Sequence, residues 1–229
     1  MTVAPRVTTA FDHVVVAGPT LDALVKLLRD ETGVGAAPGG RHVGHGTHNA
    51  LAHLEHGSSH TTASGEACYL ELLALDPTQD GGPFGEGIAH VDAPTLHTWC
   101  LRDGDADDLA RRIKRAGATA RRLPMSRLRS DGSELAWELV FVDAHPFGPL
   151  VPFFVDWRGA RHPAPELPRG LVLERFALGH PDHDDLQHLL GELGGVPAGV
   201  DVSHAERPTL GATLRGPRGT WHLHGAPRG

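Results

Sequence analysis

Residues 11–33 read FDHVVVAGPTLDALVKLLRDETG and set out a strand, a turn and a helix. The β-branched run over residues 11–17 predicts the strand, and the Gly-Pro pair after it predicts the turn. Thr20 is a suitable N-cap for a helix with its leucines on one stripe, and Gly33 is a typical helix end. The segment therefore predicts a strand that leads directly into an amphipathic helix.

The same pattern returns further along the chain. Residues 96–117 read LHTWCLRDGDADDLARRIKRAG, which is again a strand, a polar turn and a helix that stops at glycine. His97 lies 84 positions after His13, and Gly117 lies 84 positions after Gly33. The spacing of Arg, Gly, a hydroxyl residue and Ala in residues 41–50 recurs 86 positions later. Offsets that agree this closely indicate a duplicated unit.

Each copy predicts a β-α-β-β-β module. The closing strands are expected at residues 49–54 and 68–75 in the first copy, and at 135–142 and 150–157 in the second. A third, partial copy is expected from a strand at 171–178, a helix at 182–193 and short strands at 200–203, 209–214 and 220–224. We expect modules at residues 8–92, 93–165 and 168–226 within one compact domain, the last extending the sheet or covering one of its mouths.

The composition of the 229 residues excludes several classes of protein. A net charge of −7 argues against a nucleic-acid binder, which needs an excess of Lys and Arg. No apolar run approaches the roughly 20 residues that span a bilayer, and the first residues lack a signal peptide's hydrophobic stretch. Cys68 and Cys100 match no metal or redox spacing, and most of the 17 histidines are expected to be solvated. A cytoplasmic protein that binds neither nucleic acid nor membrane is expected.

Short stretches across residues 10–195 carry a family resemblance. They are Asp12-His13, GGRH at 39–42, GTHNAL at 46–51, YLEL at 69–72, Asp76-Pro77, WCLR at 99–102, PMSR at 124–127, PFFVDW at 152–157 and HPA at 162–164. Together with the repeat, they resemble the glyoxalase-like domain family of the vicinal oxygen chelate superfamily. The resemblance implies an α+β fold in which tandem βαβββ modules form an open, curled mixed β-sheet, with the partial third module at the C-terminus.

The resemblance also implies a metal site in the trough of that sheet. One ligand would come from the first strand and one from the last strand of each module, which selects His13, Glu71, His97 and Asp156. At the His97 position, the family often has a small residue instead. Two imidazoles with one or two carboxylates suit a divalent Fe, Ni, Zn or Mn ion with positions open to substrate oxygens.

Each of these residues has an alternative role. The alternative for His13 is a hydrogen-bonded side chain within a strand. Glu71 interrupts an apolar strand, so it needs either a cation or an ion pair, for which Arg41 and Arg127 are the partners. A shift of one residue would turn Asp156 to the other face of its strand, where it would be an exposed acid or a turn cap.

Polar residues near the expected ligands predict the rest of the pocket. Arg41 and Arg127 hold equivalent positions in the two modules, and a guanidinium there would bind a carboxylate, phosphate or enolate. Arg102 is a third candidate, and Asn49 is a further polar contact. Salt bridges to acidic residues, and a strand-end role for Asn49, are the competing interpretations.

Two main hypotheses for function follow. The first is a divalent-metal-dependent enzyme that acts on a small oxygenated substrate, for which an anionic form is one option. A lyase, an isomerase, a dioxygenase and a group transferase are all consistent with this hypothesis. Glu71 or Asp156 would be its base. The second is a metal-free small-molecule-binding or sequestering protein, and a structural dimerisation module is a weaker third. Convergence of three ligands within about 4–5 Å of one point separates the first two. The chain is expected to be a monomer or a homodimer.

Overall fold

The computed structural model describes residues 9–56, 68–128 and 134–225. In these residues the helices are α1 (Leu21–Thr32), α2 (Pro83–Ile88), α3 (Ala106–Arg115) and α4 (His183–Leu193). The strands are β1 (Ala10–Ala17), β2 (Ala37–His42), β3 (Thr47–His56), β4 (Cys68–Leu75), β5 (Thr95–Arg102), β6 (Thr119–Leu128), β7 (Glu134–Asp143), β8 (Phe153–Asp156), β9 (Leu171–His180), β10 (Val200–His204), β11 (Thr209–Arg215) and β12 (Thr220–Gly225). None of the described helices has the length and apolar character that crossing a membrane requires.

The first eight strands form two units with the same pairing. β1 runs parallel to β4, which pairs antiparallel with β3, and β3 pairs antiparallel with β2. β5 runs parallel to β8, and the antiparallel pairs β8–β7 and β7–β6 follow. β1 and β5 pair antiparallel and join the two units into one continuous mixed sheet. The expected α+β fold with duplicated βαβββ modules is therefore confirmed.

The β1–β5 seam contains two irregularities. Phe11 pairs with Leu101 and His13 with Cys100, so Asp12 is an extra residue without a partner in β5. A bulge of this kind turns a side chain away from regular alternation. A second register shift leaves His97 outside the pairing in β5. Both irregularities involve residues that the sequence analysis singled out, and they change where the side chains point.

Helices α1, α3 and α4 pack on one face of the sheet. Thr20 caps α1 by accepting a hydrogen bond from the backbone N–H of Ala23 at 3.2 Å, and Gly33 ends α1 with φ at 78°. Leu24 and Leu28 of this helix are fully buried against the sheet. The opposite, concave face is left to form a trough, a cavity of about 970 Å³ lined by strands of both modules and by α2.

The third module extends the sheet and then covers its convex face. β9 pairs in parallel with the end of β3, and β11 and β12 follow it in the sheet. The Phe176 ring lies 5.5 Å from that of Phe11 and 5.3 Å from that of Trp99, centroid to centroid. These contacts lie on the side away from the trough, so the module does not cover a mouth of the trough.

Candidate active site

His13 lies at the floor of the trough with its ring fixed on three sides. It is 4% exposed, and its Nδ1–H donates to Asp12 Oδ1 at 2.7 Å. Its ring stacks on Tyr69 at 4.4 Å between centroids and meets the Phe153 ring edge-on at 5.4 Å. Because Nδ1 is bonded to a carboxylate, Nε2 is the ring nitrogen that is left for chemistry in the trough.

Asp12 is a completely buried carboxylate that receives several N–H donors. Besides His13, Trp157 Nε1 donates to Oδ2 at 3.0 Å and His162 Nε2 at 3.1 Å, and Arg102 Nε lies 3.7 Å away. Burial alone would raise the pKa of Asp12, but the hydrogen bonds from His13 and His162 outweigh burial and hold the pKa well below its usual range. Asp12 therefore stays ionised and orients the imidazole of His13.

Glu71 faces His13 across one strand pair. Its Oε2 lies 3.5 Å from His13 Nε2, and its Oε1 accepts a hydrogen bond from Asn49 Nδ2 at 2.6 Å. His42 Nε2 lies 3.9 Å from the same Oε1. Glu71 is only 8% exposed, so a buried carboxylate and a buried imidazole meet at the trough surface. The alternative partner Arg41 does not bind it.

Asn49 holds both Glu71 and His42. Its Nδ2 lies 3.3 Å from His42 Nε2, while His42 Nδ1 lies 2.8 Å from Thr47 Oγ1. Asn49 Oδ1 is buried and, among the described residues, has no hydrogen-bond partner. It sits against Gly39, where an added Cβ would come within 2.2 Å of it. The glycine is what makes room for the amide.

His97 lines the trough but does not join this cluster. In the part of the chain that the structure describes, it forms no ion pair with Glu71. Burial lowers the pKa of His97, and the neighbouring charge of His90 lowers it further, while Glu71 acts in the opposite direction. His97 therefore lines the trough without belonging to the cluster of His13 and Glu71.

Strand pairing places Cys100, and not His97, opposite His13 across the seam. His13 also pairs with Tyr69 of β4, and Cys100 pairs with Phe153 of β8. His97 is the extra residue of β5 at the second register shift, so it has no partner in β1.

Asp156 requires a correction. β8 presents Phe153 and Val155 to the trough, so Asp156 points to the opposite face. There its Oδ1 accepts a hydrogen bond from the backbone N–H of Arg158 at 2.8 Å, which is a turn-capping role. The side chain that β8 presents to the trough next to Asp156 is that of Val155, which is apolar.

The expected substrate-binding arginines are also placed differently. Arg41 lies at the rim of the trough, where Nε and Nη2 donate to Asp76 at 2.7 and 3.3 Å. This pair, with further hydrogen bonds from residues after Asp76, lowers the pKa of Asp76. Arg102 is beside Asp12 and does not line the trough. The side chain of Arg127 lies outside the described part of the chain.

The four-ligand metal site implied by the resemblance does not fit these residues. The separation of 3.5 Å between His13 Nε2 and Glu71 Oε2 suits two ligands of one ion with bonds of about 2.1 Å. Neither His97 nor Asp156 completes the set. In the described residues, three potential ligand atoms converge within 4.8 Å only at Asp12, His13 and Cys100. In that group the facing atoms of Asp12 and His13 are already hydrogen-bonded to each other. Burial raises the pKa of the Cys100 thiol well above its usual value.

Sequence reasoning missed Asp12, His42, Trp157 and His162 as members of the site. All four lie in the stretches that carried the family resemblance, so their positions were marked but their roles were not assigned. The local signal for Asp12 was an acidic residue directly before a histidine in an otherwise apolar strand. Trp157 and His162 lie 145 and 150 residues after Asp12 in the sequence. Their contacts with Asp12 are therefore not visible in any local stretch of sequence.

The paired βαβββ units and their shared trough define a protein of the vicinal oxygen chelate superfamily. Within it, the chain belongs to the glyoxalase-like domain family, which matches residues 11–194. No curated protein matches the sequence.

Solved structures with similar folds include a hypothetical protein from Staphylococcus aureus. The two sequences are 12% identical. The alignment covers 95% of this chain and 86% of the Staphylococcus aureus protein, and the structures superpose with a TM-score of 0.61. A variant of Streptomyces coelicolor methylmalonyl-CoA epimerase, bound to 2-nitronate-propionyl-CoA, is 21% identical over 66% of this chain and 93% of its own, with a TM-score of 0.45. The methylmalonyl-CoA epimerase of Mycobacterium tuberculosis is 18% identical over 63% and 94%, with a TM-score of 0.40. At these identities the likeness to the first concerns the fold alone.

Proposed function

We propose that this protein is an enzyme that moves a proton at a carbon next to a carbonyl group of a small oxygenated molecule, as isomerases and lyases do. The observation that carries the proposal is the array Asp12–His13–Glu71, in which two buried carboxylates flank one imidazole at the floor of the trough. Grouping charges in a buried cleft is costly, and active sites are where proteins accept that cost. A protein that only sequesters a ligand does not need it.

His13 is the proposed base. Asp12 accepts the Nδ1 proton, so the neutral ring presents the lone pair of Nε2 to the trough. When Nε2 takes a proton from the substrate carbon, the resulting imidazolium lies between Asp12 and Glu71, and both carboxylates stabilise its charge. The same Nε2 then returns the proton to the substrate.

Glu71 is the proposed second acid–base group. Asn49 donates to Oε1 and fixes the carboxylate plane, which leaves Oε2 on the side of His13. Oε2 would accept the proton of a substrate hydroxyl on the carbon next to the reacting one and return it to the carbonyl oxygen. Since Oε2 and Nε2 are 3.5 Å apart, the two groups serve neighbouring atoms of one substrate. His42 Nε2 lies 3.9 Å from the same Oε1 that Asn49 binds.

A metal-dependent version of this enzyme is the second candidate. It is favoured by the spacing of His13 Nε2 and Glu71 Oε2, the two residues that would hold a divalent ion. The hydrogen bond from His13 to Asp12 is the outer support that metal-bound histidines generally have. Such an ion would supply Lewis-acid polarisation of substrate oxygens. Metal analysis of protein purified without chelator or tag, repeated on His13→Ala and Glu71→Ala, tests it, because bound metal should disappear in both variants.

The proposed function is tested by exchange of substrate hydrogen for deuterium in D₂O. A panel of 2-oxo acids and α-hydroxy ketones is followed by proton NMR with and without the protein. We expect catalysed exchange at the carbon next to the carbonyl, and a loss of at least about 100-fold in His13→Gln and Glu71→Gln. Asp12→Asn should lower the rate by about 10–100-fold because the orientation of the ring is lost.

The control is Glu206→Gln, which changes an exposed glutamate of the third module. It should leave the exchange rate unchanged. Binding of panel members without any catalysed exchange would contradict the enzyme and favour sequestration. Equal rates in the wild type and in His13→Gln would remove the proposed base.

A further inference from the structure

The two walls of the trough differ in chemistry. On the first module, His13, Asn49 and Glu71 form the polar cluster described above. On the second module, β8 presents Phe153 and Val155 to the trough, and Leu139 of β7 pairs with Val155. An apolar wall from the second module therefore lies beside the reacting cluster of the first.

The second-module wall is mainly apolar. Its apolar side chains that line the trough include Met125, Trp137, Leu139, Phe141, Phe153 and Val155. The rings of Phe141 and Phe153 stack at 5.5 Å with 23° between their planes. The guanidinium of Arg121 lies 4.3 Å from the centre of the Phe141 ring and pairs with Asp143.

These rings are only partly covered by the protein itself. Trp137, Phe141 and Phe153 are each half-buried although they are large and apolar. Apolar rings left partly exposed inside a cleft are a feature of ligand pockets, where the ligand removes them from water. The cavity of about 970 Å³ is far larger than a three-carbon acid or ketone requires.

We propose that the substrate carries an apolar ring, which packs on Trp137, Phe141 and Phe153 while its oxygenated group meets His13 and Glu71. This inference rests on the proposed function and adds the class of substrate: ring-bearing carbonyl compounds. The first module supplies the reacting groups, and the second module selects the body of the substrate.

The geometry also limits the distance between the ring and the reacting carbon. The walls meet at His13 and Phe153, whose rings are 5.4 Å apart. A substrate ring in contact with Phe153 therefore lies only a few bonds from an atom in contact with His13. The reacting carbon is attached to the ring directly or through one or two atoms.

The test compares two neutral probes that differ only in the ring. 2-Hydroxyacetophenone and hydroxyacetone share the hydroxyketone group, and one carries a phenyl ring where the other has a methyl group. Their dissociation constants are measured by calorimetry, which needs no turnover. We expect the wild type to bind the phenyl compound at least tenfold more tightly, because burial of the ring adds favourable transfer free energy.

Variants then assign that preference to the wall. Trp137→Ala and Phe141→Ala change half-buried side chains, and each should reduce the ratio of affinities by at least threefold. Glu71→Gln should keep the ratio while losing exchange. His222→Ala, an exposed ring on β12, is the control and should leave the ratio unchanged. Circular dichroism verifies that each variant is folded.

Equal affinities for the two probes in the wild type would overturn the inference, and so would an unchanged ratio in both Trp137→Ala and Phe141→Ala. Failure of the proposed function gives a different result. In that case the wild type still binds the phenyl compound more tightly, but no compound of the panel exchanges its hydrogen in D₂O.

Discussion

Glu138 shows how a single buried acid is stabilised on the face of β7 away from the trough. Arg122 binds it with two hydrogen bonds of 2.8 Å, and Arg158 adds a third of 2.6 Å. The bonds from Arg122 outweigh the effect of burial and, with those from Arg158, lower the pKa of Glu138 to about 2. Protonation of this carboxylate at acid pH should therefore destabilise the fold.

We expect Glu138 to stabilise the fold above pH 4.5, the unperturbed value, and to lose that contribution as the pH falls toward 2. The folded-state pKa is depressed, so the unfolded chain takes up the proton first and acid favours unfolding. Urea unfolding between pH 5 and pH 2.5 should show a fall in the free energy of unfolding that is smaller by ~2 kcal/mol in Glu138→Gln. Glu206→Gln, at an exposed position, should follow the wild type. Parallel curves for the wild type and Glu138→Gln would contradict the prediction.

At the scale of single residues, the family resemblance selected His13 and Glu71 as the first-strand and last-strand positions of the first module. Glu71 also stood out because a carboxylate interrupts an apolar strand, and the structure brings the two residues together. His97 and Asp156 were selected by counting a constant offset along the chain. A bulge in β5 then leaves His97 outside the strand pairing, and one step of strand alternation in β8 turns Asp156 away from the trough. Neither feature leaves a local mark in the sequence.

At the scale of elements, α2 is anchored as one wall of the trough by close backbone contact. Gly82 precedes α2 with φ at 141°, and an added Cβ there would lie 2.5 Å from the backbone carbon of His45. Gly46 faces it with φ at 79° and equally little space. The Arg41–Asp76 pair ties the same region to the sheet. Rigid packing of glycine on glycine therefore positions Phe84 of α2 in the trough.

We expect Gly82→Ala to lower the free energy of unfolding by about 1–3 kcal/mol, since the added methyl strains the backbone and separates α2 from the turn at Gly46. Thermal and urea unfolding measure it. Gly87→Ala is the matched control: it lies in α2, meets nothing within 4 Å, and should be neutral or slightly stabilising. Equal effects of the two substitutions would show that the close contact is not what holds α2.

Elements with local signals were predictable and the others were not. α1, α3 and α4 begin and end within a few residues of their predicted bounds, because caps and glycines act over one turn. α2 has only six residues, two of them glycine, so its sequence contains no helical periodicity. The strand expected at 150–157 is shorter, Phe153–Asp156, since prolines at 149 and 152 interrupt it.

At the scale of the whole molecule, one core passes through all three predicted modules. Phe176 of β9 is fully buried and contacts Phe11 of β1 and Trp99 of β5. Arg112 of α3 donates to the backbone carbonyl of Leu193 at the end of α4. We therefore propose that residues 8–92, 93–165 and 168–226 unfold as one cooperative unit.

Phe176→Ala tests this proposal. We expect a loss of about 3–5 kcal/mol in the free energy of unfolding, because the cavity would lie between modules, with unfolding still a single transition. Tryptophan fluorescence and circular dichroism should report coincident urea curves. Val43→Ala, at a position that is 82% exposed, should change stability by less than about 0.5 kcal/mol. Two separate transitions would mean that the third module folds independently.

The antiparallel seam between β1 and β5 places His13 on a strand that has neighbours on both edges and packed layers beneath it. Backbone amides in such a position open to solvent only when most of the molecule opens. Slow amide hydrogen exchange should therefore surround the imidazole. A ligand that enters the trough meets a floor that keeps its shape.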